Sequence, residues 1–201
     1  SHFMIIEFFG LSNTGKSVLK RELEKKGYKV SRTEKVSKTR KFFLFVRHFI
    51  LNPLNTIYLF RKLNSNSIKM PLSSEKKFAI KKMRNSYLTG VFSKYEYLKN
   101  KKENIFTDEF SFQSLFMILQ KKSNENEIKK IIKKLPKSDY LFLFEGKKDW
   151  RHEAYQKKHP VHGGTLMPGS RIDKNYAEEW MKSMEYNFEI IKKIFFENYK
   201  E

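Results

Sequence analysis

The chain has 201 residues, with 42 Lys and Arg against 22 Asp and Glu, which gives a formal net charge of +20. This length is enough for one domain with a full hydrophobic core, and the charge predicts an anionic partner such as a nucleotide, a nucleic acid or an acidic membrane face. Because the chain contains no cysteine, Cys-ligated zinc, iron–sulfur clusters and thiol catalysis are excluded. No basic amino-terminal stretch leads into an apolar segment, so we expect a cytoplasmic location.

A glycine-bounded loop follows the first apolar segment. Residues 10–17 read GLSNTGKS and match the pattern G-x-x-x-x-G-K-[ST], with a strand-like run before them and a helix-like run after them. This context is typical of a loop whose backbone N–H groups, with the positive end of the following helix, surround nucleotide phosphates. Lys16 is predicted to reach the β- and γ-phosphates, and the Ser17 hydroxyl to bind Mg²⁺. The predicted nucleotide contacts are Gly10, Ser12, Asn13, Thr14, Gly15, Lys16, Ser17 and Val18. The alternative is an ordinary glycine-rich turn.

A βαβ unit is predicted around this loop. Residues 17–26 carry apolar side chains at helical spacing and predict a helix that ends at Gly27. Residues 28–34 then predict a short second strand.

Residues 41–63 are dense in aromatic, aliphatic and basic side chains. Arg47, His48, Asn52 and Pro53 interrupt the apolar run too early for it to span a bilayer. The segment therefore predicts one of two structures. It forms either a pair of short core helices or a surface that touches a membrane or a lipid-linked substrate.

A long helix is predicted to begin after Ser73 or Ser74, either of which can cap it. Its spacing predicts one face toward the core and one toward solvent. The predicted core face comprises Phe78, Met83, Tyr87, Val91, Tyr95 and Leu98. The predicted solvated face comprises Lys81, Lys82, Lys94 and Lys99.

Two further strands are predicted in the second half of the chain. Residues 104–107 predict a short buried strand that delivers Asp108 and Glu109 at its carboxyl end, which in an open α/β sheet lies beside the phosphate loop. Residues 110–121 predict an apolar helix, and another helix follows. Residues 139–145 are almost continuously apolar, which is typical of a parallel strand covered on both faces.

The last third of the chain holds a polar, basic segment and a final helix. Residues 146–171 contain several glycines and predict a lid-like segment, because long irregular stretches in compact domains usually have a function. Asp173 is predicted to cap the final helix. One domain over residues 4–201 is expected, and residues 1–3 are expected to derive from an expression vector.

Three segments resemble the P-loop nucleoside and nucleotide kinases, thymidylate kinases in particular. Residues 9–17 match that family's phosphate loop in frame, and Arg32-Thr33-Glu34 resembles its Arg-Glu-Pro segment. Thr107-Asp108-Glu109-Phe110 stands where the family has an Asp-Arg-aromatic signature. The resemblance implies a three-layer α/β/α P-loop NTPase fold with a short, mostly parallel sheet. It also implies ATP and Mg²⁺ as cofactors and a phosphotransferase activity.

Three departures from that family fall on acceptor recognition. The family's acidic residue within the phosphate loop is Ser12 here, the arginine of its Asp-Arg signature is Glu109, and no proline follows Glu34. We therefore expect transfer of the γ-phosphoryl group of ATP-Mg²⁺ to a hydroxyl or phosphate of another acceptor. The acceptors considered are a nucleotide, a sugar and a lipid-linked glycan.

The carboxylates have alternative predicted roles. Asp108 is predicted to join Ser17 in the Mg²⁺ shell, or to cap the following helix. Glu34 or Glu109 is the predicted base for the acceptor hydroxyl, with Glu145 as a third candidate, and Glu109 is alternatively an exposed first-turn residue.

The basic segment offers predicted lid residues. Arg151 and Arg171 are predicted to close over the transferred phosphoryl group, because a guanidinium can hold two phosphate oxygens; the alternative is that both are simply solvated. The spacing of His152, His159 and His162 matches no recognised zinc-ligand set.

Two other functions remain open. One is a basic nucleic-acid-binding P-loop NTPase without small-molecule kinase activity, and the other is a regulatory NTPase. A peripheral membrane contact through residues 41–63, at the inner membrane face, is compatible with the kinase hypothesis. A homodimer also stays open.

Overall fold

The computed structural model describes residues 4–11, 14–31, 36–108, 110–146 and 173–198. Their elements in chain order are β1 (Ile5–Gly10), α1 (Lys16–Lys25), α2 (Lys38–Leu51), α3 (Pro53–Ser65), α4 (Ser74–Leu98), β2 (Ile105–Asp108), α5 (Ser114–Ile118), α6 (Glu125–Ile132), β3 (Tyr140–Phe144) and α7 (Lys174–Asn198). The strands form a three-stranded sheet in the order β2, β1, β3, and both strand pairs are parallel. The predicted α/β class with a short parallel sheet is therefore confirmed.

The register of the sheet brings three strand ends to one edge. Phe8 lies opposite Asp108 on β2, and Gly10 lies opposite Phe144 on β3. Every residue of the central strand β1 is buried. Because parallel strands end on the same side, the loop after Gly10 adjoins the ends of both neighbouring strands.

The predicted second strand over residues 28–34 is reduced to one bridge. Val30 pairs in parallel with Phe106, and the Ser31 N–H donates to the Phe106 carbonyl at 2.8 Å. The Phe106 N–H donates to the Lys29 carbonyl at 3.0 Å. The chain thus touches the outer edge of β2 for a single residue, and residues 32–35 lie outside the described part.

Alternate side chains of β1 point to the two faces of the sheet. On one face, the Phe9 ring stacks on Phe116 with ring centroids 5.2 Å apart and lies 5.7 Å from Phe188. These contacts bind the sheet to α5 and α7. On the other face, the Phe8 ring packs against Phe106 at 5.7 Å.

The prediction that the last strand is covered on both faces is wrong for β3. Tyr140 is 56% exposed and Phe142 is 53% exposed. The physical reason is that β3 lies at the edge of the sheet formed by the described residues, and its neighbour β1 takes the fully buried central place. An apolar run cannot distinguish a central strand from an edge strand.

The predicted faces of α4 need two corrections. Phe78 is 66% exposed, whereas Lys94, predicted to be solvated, is only 7% exposed. Lys94 follows Val91 by three residues and precedes Leu98 by four, so all three share the buried face. Phe78 falls out of phase with that face. The predicted cap is confirmed, since the Ser73 hydroxyl accepts the Lys76 N–H.

The predicted helix over residues 110–121 is much shorter than expected. Helix α5 contains only Ser114–Ile118, with Gln113 at its N-cap. The N–H groups of Phe112 and Gln113 instead donate to the Glu7 carboxylate of β1. At the end of the chain the Asp173 side chain accepts the Tyr176 N–H at 3.0 Å, which confirms the predicted cap of α7.

Helices α2 and α3 pack on the core by one side only. His48 stacks on Phe92 of α4 with ring centroids 4.6 Å apart, and Leu59 and Leu63 are fully buried. The opposite side carries large exposed apolar side chains. The core-helix alternative for residues 41–63 therefore describes one side of the pair, and contact with a membrane or a lipid-linked substrate stays a prediction. Within the part of the chain that the structure describes, no helix is long and apolar enough to cross a membrane.

Candidate functional site

The loop between β1 and α1 uses its two glycines for different reasons. Gly10 has φ 152°, and a Cβ there would lie 2.3 Å from the Phe144 carbonyl oxygen of β3. Gly15 has φ 91° and precedes α1, but a Cβ there would meet no atom within 4 Å. Close approach of β3 therefore requires glycine at position 10. The left-handed backbone favours it at position 15.

The Lys16 side chain folds back into this loop. Its ammonium donates to the backbone carbonyls of Gly10 and Leu11, at 2.6 Å each. The Thr14 hydroxyl, which is buried, donates to the same Leu11 carbonyl at 2.9 Å. Because a lysine ammonium is a compact charge with three donors, Lys16 places a positive charge at the centre of the loop.

The other predicted loop contacts differ in position. Ser17 and Val18 lie exposed in the first turn of α1, with Val18 54% exposed. Helix α1 contacts β1 and β2, but none of its residues is buried. Ser12 and Asn13 lie outside the described residues.

Asp108 ends β2 beside this loop. Its carboxylate accepts a hydrogen bond from the Lys20 ammonium at 2.8 Å. Lys20 follows Lys16 by four residues, so both side chains leave the same face of α1. The ion pair therefore ties the end of β2 to the helix that follows the phosphate-loop pattern.

A second lysine reaches Asp108 from α4. The Lys94 ammonium donates to the Asp108 backbone carbonyl at 2.8 Å, and the Thr107 hydroxyl donates to the same carbonyl at 3.1 Å. The alternative in which Asp108 caps the following helix is wrong, because α5 begins later and has Gln113 at its N-cap. Asp108 thus stands between two lysines from different helices.

A cavity of about 190 Å³ lies next to Lys94, between the start of α2 and α4. Two lysines, Lys41 and Lys94, line it together with tyrosines and serines. No Asp or Glu belongs to its lining within the described residues. Val36, which also lines it, stands two residues after Glu34. The cavity therefore adjoins the carboxyl end of β2 and suits a small anionic group.

Glu7 is a buried carboxyl group in the middle of β1. Its Oε1 accepts the Phe112 N–H at 2.8 Å and the Gln113 N–H at 3.3 Å, and the Ser138 hydroxyl donates to Oε2 at 3.3 Å. Burial raises the pKa of Glu7 to about 7, although these hydrogen bonds and the Lys94 charge act to lower it. Glu7 therefore fixes the segment after β2 to the central strand.

The remaining predicted residues are not brought into this site by the described structure. Glu34, Glu109, Arg151 and Arg171 lie outside the described residues, as do the three histidines of residues 152–162. Glu145 follows β3 and pairs with Lys192 of α7 at 2.6 Å. Among the described residues, no group of three His, Asp or Glu side chains could hold a metal ion.

Comparison of the chain with protein-family models, curated proteins and solved structures finds no match. Three residues of the site are not among the site residues that the sequence predicts: Glu7, Lys20, and Lys94, which the sequence places on a solvated face. Local signals existed for each: a glutamate within an apolar strand, a lysine one turn after Lys16, and a lysine in phase with Val91.

Proposed function

We propose that the chain is an ATP-dependent phosphotransferase of the P-loop NTPase class, which moves the γ-phosphoryl group of ATP-Mg²⁺ to a hydroxyl or phosphate of an anionic acceptor. One observation carries the proposal: the Lys16 ammonium lies within a glycine-bounded loop at the carboxyl edge of a parallel sheet, where Asp108 ends the neighbouring strand. Ligands of such sheets bind at this edge. Phosphoryl transfer depends mainly on positioning and on charge neutralisation, for which these groups are suited.

The donor would bind at the loop and the start of α1. A donor phosphate would lie against the backbone N–H groups at the start of α1, where the positive end of the helix favours its charge. Lys16 would exchange its two carbonyl partners for phosphate oxygens. The Ser17 hydroxyl and the Asp108 carboxylate are the oxygen ligands proposed for Mg²⁺, which neutralises phosphate charge when bound.

The acceptor would bind in the 190 Å³ cavity, where Lys41 and Lys94 offer positive charge. For an acceptor hydroxyl, its oxygen forms a bond to the γ-phosphorus while the bond from phosphorus to the bridging oxygen breaks, and ADP leaves. The hydroxyl proton passes to a carboxylate. Glu34 is the proposed base because it is two residues from Val36 of the cavity, and Glu109 is the alternative.

Two arginines complete the proposed donor side. Arg151 and Arg171 are proposed to bind the transferred phosphoryl group from the lid-like segment of residues 146–171. A guanidinium stays charged and can hold two oxygens, which suits it to the charge that spreads over the moving group.

The test is ligand-induced thermal stabilisation of the whole chain, followed by phosphate-transfer assays against nucleosides, nucleotides, sugars and lipid-linked sugars. ATP with Mg²⁺ is expected to raise the melting temperature of the native chain but not of a Lys16→Ala variant. Lys25→Ala is the matched control, because Lys25 belongs to the same helix and its side chain is 72% exposed. Failure of ATP and GTP to stabilise any of the three proteins would overturn the proposal.

The competing function is nucleic-acid binding, which the charge of +20 favours. It predicts tight binding to single-stranded RNA or DNA with a steep loss of affinity between low and moderate salt. Such binding, together with no transfer to any acceptor and no effect of Lys16→Ala, would favour this function over the kinase.

A further inference from the structure

The exposed side of α2 and α3 is strongly apolar. Within residues 42–57, seven large apolar side chains are between 39% and 81% exposed: Phe42, Phe43, Phe49, Ile50, Leu51, Leu54 and Ile57. We call these seven residues the hairpin face. The most exposed, Leu54 and Ile50, flank the turn between the two helices. Apolar side chains concentrated in this way on a surface mark an interaction site.

The face is continuous across the two helices. A groove of about 450 Å³ runs between them, and both Phe49 of α2 and Ile57 of α3 line it. Phe45 and Phe60, which line the same groove, pack against Phe92 of α4, with ring centroids 6.3 and 6.0 Å apart. Because these contacts fix both helices on the core, the hairpin face points away from it as one surface.

The same helices carry positive charge without any acidic residue. Residues 38–65 contain no Asp or Glu. Their six cationic side chains are Lys38, Arg40, Lys41, Arg47, Arg61 and Lys62. Arg47 lies 3.4 Å from Glu96, and Lys62 lies 2.9 Å from Glu127. Within the described residues, Lys38, Lys41 and Arg61 form no ion pair with a carboxylate, and Arg61 lines the groove.

We propose that the hairpin face docks on the surface of an anionic lipid bilayer, with α2 and α3 lying in the interfacial plane. Apolar side chains flanked by Lys and Arg are the composition that binds such an interface. Neither helix is long and apolar enough to cross a bilayer. This proposal does not depend on the phosphotransferase activity.

Charge and side-chain type favour an anionic bilayer over a second copy of the chain and over a nucleic acid. A symmetric pair of chains joined by this face would bring two acid-free segments together, each with Lys38, Lys41 and Arg61 outside any ion pair among the described residues, which is repulsive. Bases of a nucleic acid stack on aromatic rings, whereas the turn presents the aliphatic side chains of Ile50, Leu51 and Leu54. An anionic bilayer complements both the charge and the aliphatic tip.

Docking would also place the proposed acceptor cavity near lipid headgroups. Lys41 and Leu44 of α2 line that cavity, so the helix that meets the bilayer also forms its wall. If the phosphotransferase proposal holds as well, the acceptor class that this geometry favours is an anionic headgroup or a lipid-linked sugar.

The test is co-sedimentation of the whole chain with vesicles of phosphatidylcholine alone and with about one third phosphatidylglycerol. We expect binding to the anionic vesicles and much weaker binding to the neutral ones. Two phenylalanines of equal exposure form a matched pair, since Phe43 on the hairpin face and Phe78 on α4 are each 66% exposed. Phe43→Ser should weaken vesicle binding at least about fivefold, and Phe78→Ser should leave it unchanged.

Further variants separate the apolar and the charged contributions. Ile50→Ser combined with Leu54→Ser should weaken binding more than Phe43→Ser does. Lys38→Gln combined with Arg61→Gln should reduce the preference for anionic vesicles. Circular dichroism and melting temperature check that each variant stays folded.

Three results would overturn the proposal. One is failure of the native chain to bind either vesicle, and another is an equal loss of binding for Phe43→Ser and Phe78→Ser. The third is a dimer by analytical ultracentrifugation that Ile50→Ser with Leu54→Ser dissociates, in a chain that does not bind vesicles. That result would assign the hairpin face to a second copy of the chain.

Discussion

The Lys20 ammonium lies 2.8 Å from the Asp108 carboxylate, and the two side chains are only 23% and 14% exposed. The pair joins α1 to the end of β2, where the proposed Mg²⁺ ligand stands. Lys20→Met leaves the carboxylate without this cation in a mostly dry site, so we expect the free energy of unfolding to fall by about 1–2 kcal/mol. Urea denaturation at neutral pH measures the change.

The control for this prediction is Lys25→Met on the same helix. Lys25 pairs with Glu22 at the same distance of 2.8 Å, but these side chains are 72% and 51% exposed. Solvent screening should keep its effect within about 0.5 kcal/mol. Equal effects of the two substitutions would show that the Lys20 pair is no stronger than an ordinary surface pair.

Glu7 predicts an unusual dependence of stability on pH. Its folded pKa of about 7 is above the ordinary value of 4.5, so between these values the unfolded chain ionises while the folded chain holds its proton. The protonated Glu7 therefore stabilises the fold at low pH, and this contribution to the free energy of unfolding is lost as the pH rises toward 7. The free energy of unfolding of the Glu7→Gln variant, measured relative to that of the native chain, should therefore rise by about 2 kcal/mol between pH 5 and pH 8.

The comparison of variants isolates Glu7 from other titrating groups. Burial lowers the pKa of His48, although its hydrogen bond to Glu96 acts in the opposite direction. As the pH falls below 6.5, the ordinary pKa of histidine, the unfolded chain therefore binds a proton more readily than the folded chain, and stability falls. That trend is common to both proteins and cancels in the difference. A glutamine at position 7 can still accept the Phe112 and Gln113 N–H groups, so a constant difference between pH 5 and 8 would contradict the prediction.

Local patterns predicted the parts of the fold that depend on neighbouring residues. The position of the loop between β1 and α1, the caps by Ser73 and Asp173, and the parallel strands follow from residue order and turn chemistry. The exposed Tyr140 and Phe142 could not be predicted, because their exposure depends on which strand lies at the edge of the sheet.

Long-range contacts also limited the prediction of the site. Asp108 and the phosphate-loop pattern could be placed together because both follow parallel strands. The partners of Glu7 are 105 and 106 residues away in the chain, so an isolated glutamate in an apolar strand gave no sign of what it binds. The residue type of Lys94 predicts solvent exposure, whereas its helical phase with Val91 puts it on the buried face of α4.

The two loop glycines should differ in their tolerance of alanine. At Gly10 a Cβ would collide with the Phe144 carbonyl oxygen at 2.3 Å, so β1 and β3 must separate, and we expect Gly10→Ala to cost at least about 3 kcal/mol. At Gly15 the space is open and only the φ of 91° is unfavourable, which costs about 1 kcal/mol. Thermal and urea denaturation of both variants measure these values; a larger cost at Gly15 would contradict the geometry.

Arg84 is a buried cation whose partners are mainly backbone carbonyls. It is 1% exposed, and its guanidinium donates to the carbonyls of Met117 at 2.9 Å and Ile118 at 3.2 Å, and to the Ser67 hydroxyl at 2.6 Å. Met117 and Ile118 end α5, where carbonyls lack intrahelical partners. Burial lowers the pKa of Arg84 to about 10. Arg84 therefore caps α5 from α4.

Removal of this cap should destabilise the fold strongly. Arg84→Met leaves two buried carbonyls without their donor, and we expect a loss of about 2–4 kcal/mol in the free energy of unfolding. Arg84→Lys keeps the charge but not the planar fork that reaches three acceptors. The stability that this variant loses should therefore be closer to the loss in Arg84→Met than to zero. Lys81→Met, one turn earlier and exposed, is the control and should change stability by less than about 0.5 kcal/mol. Full retention of stability by Arg84→Lys would show that the charge, and not the cap, is what the core requires.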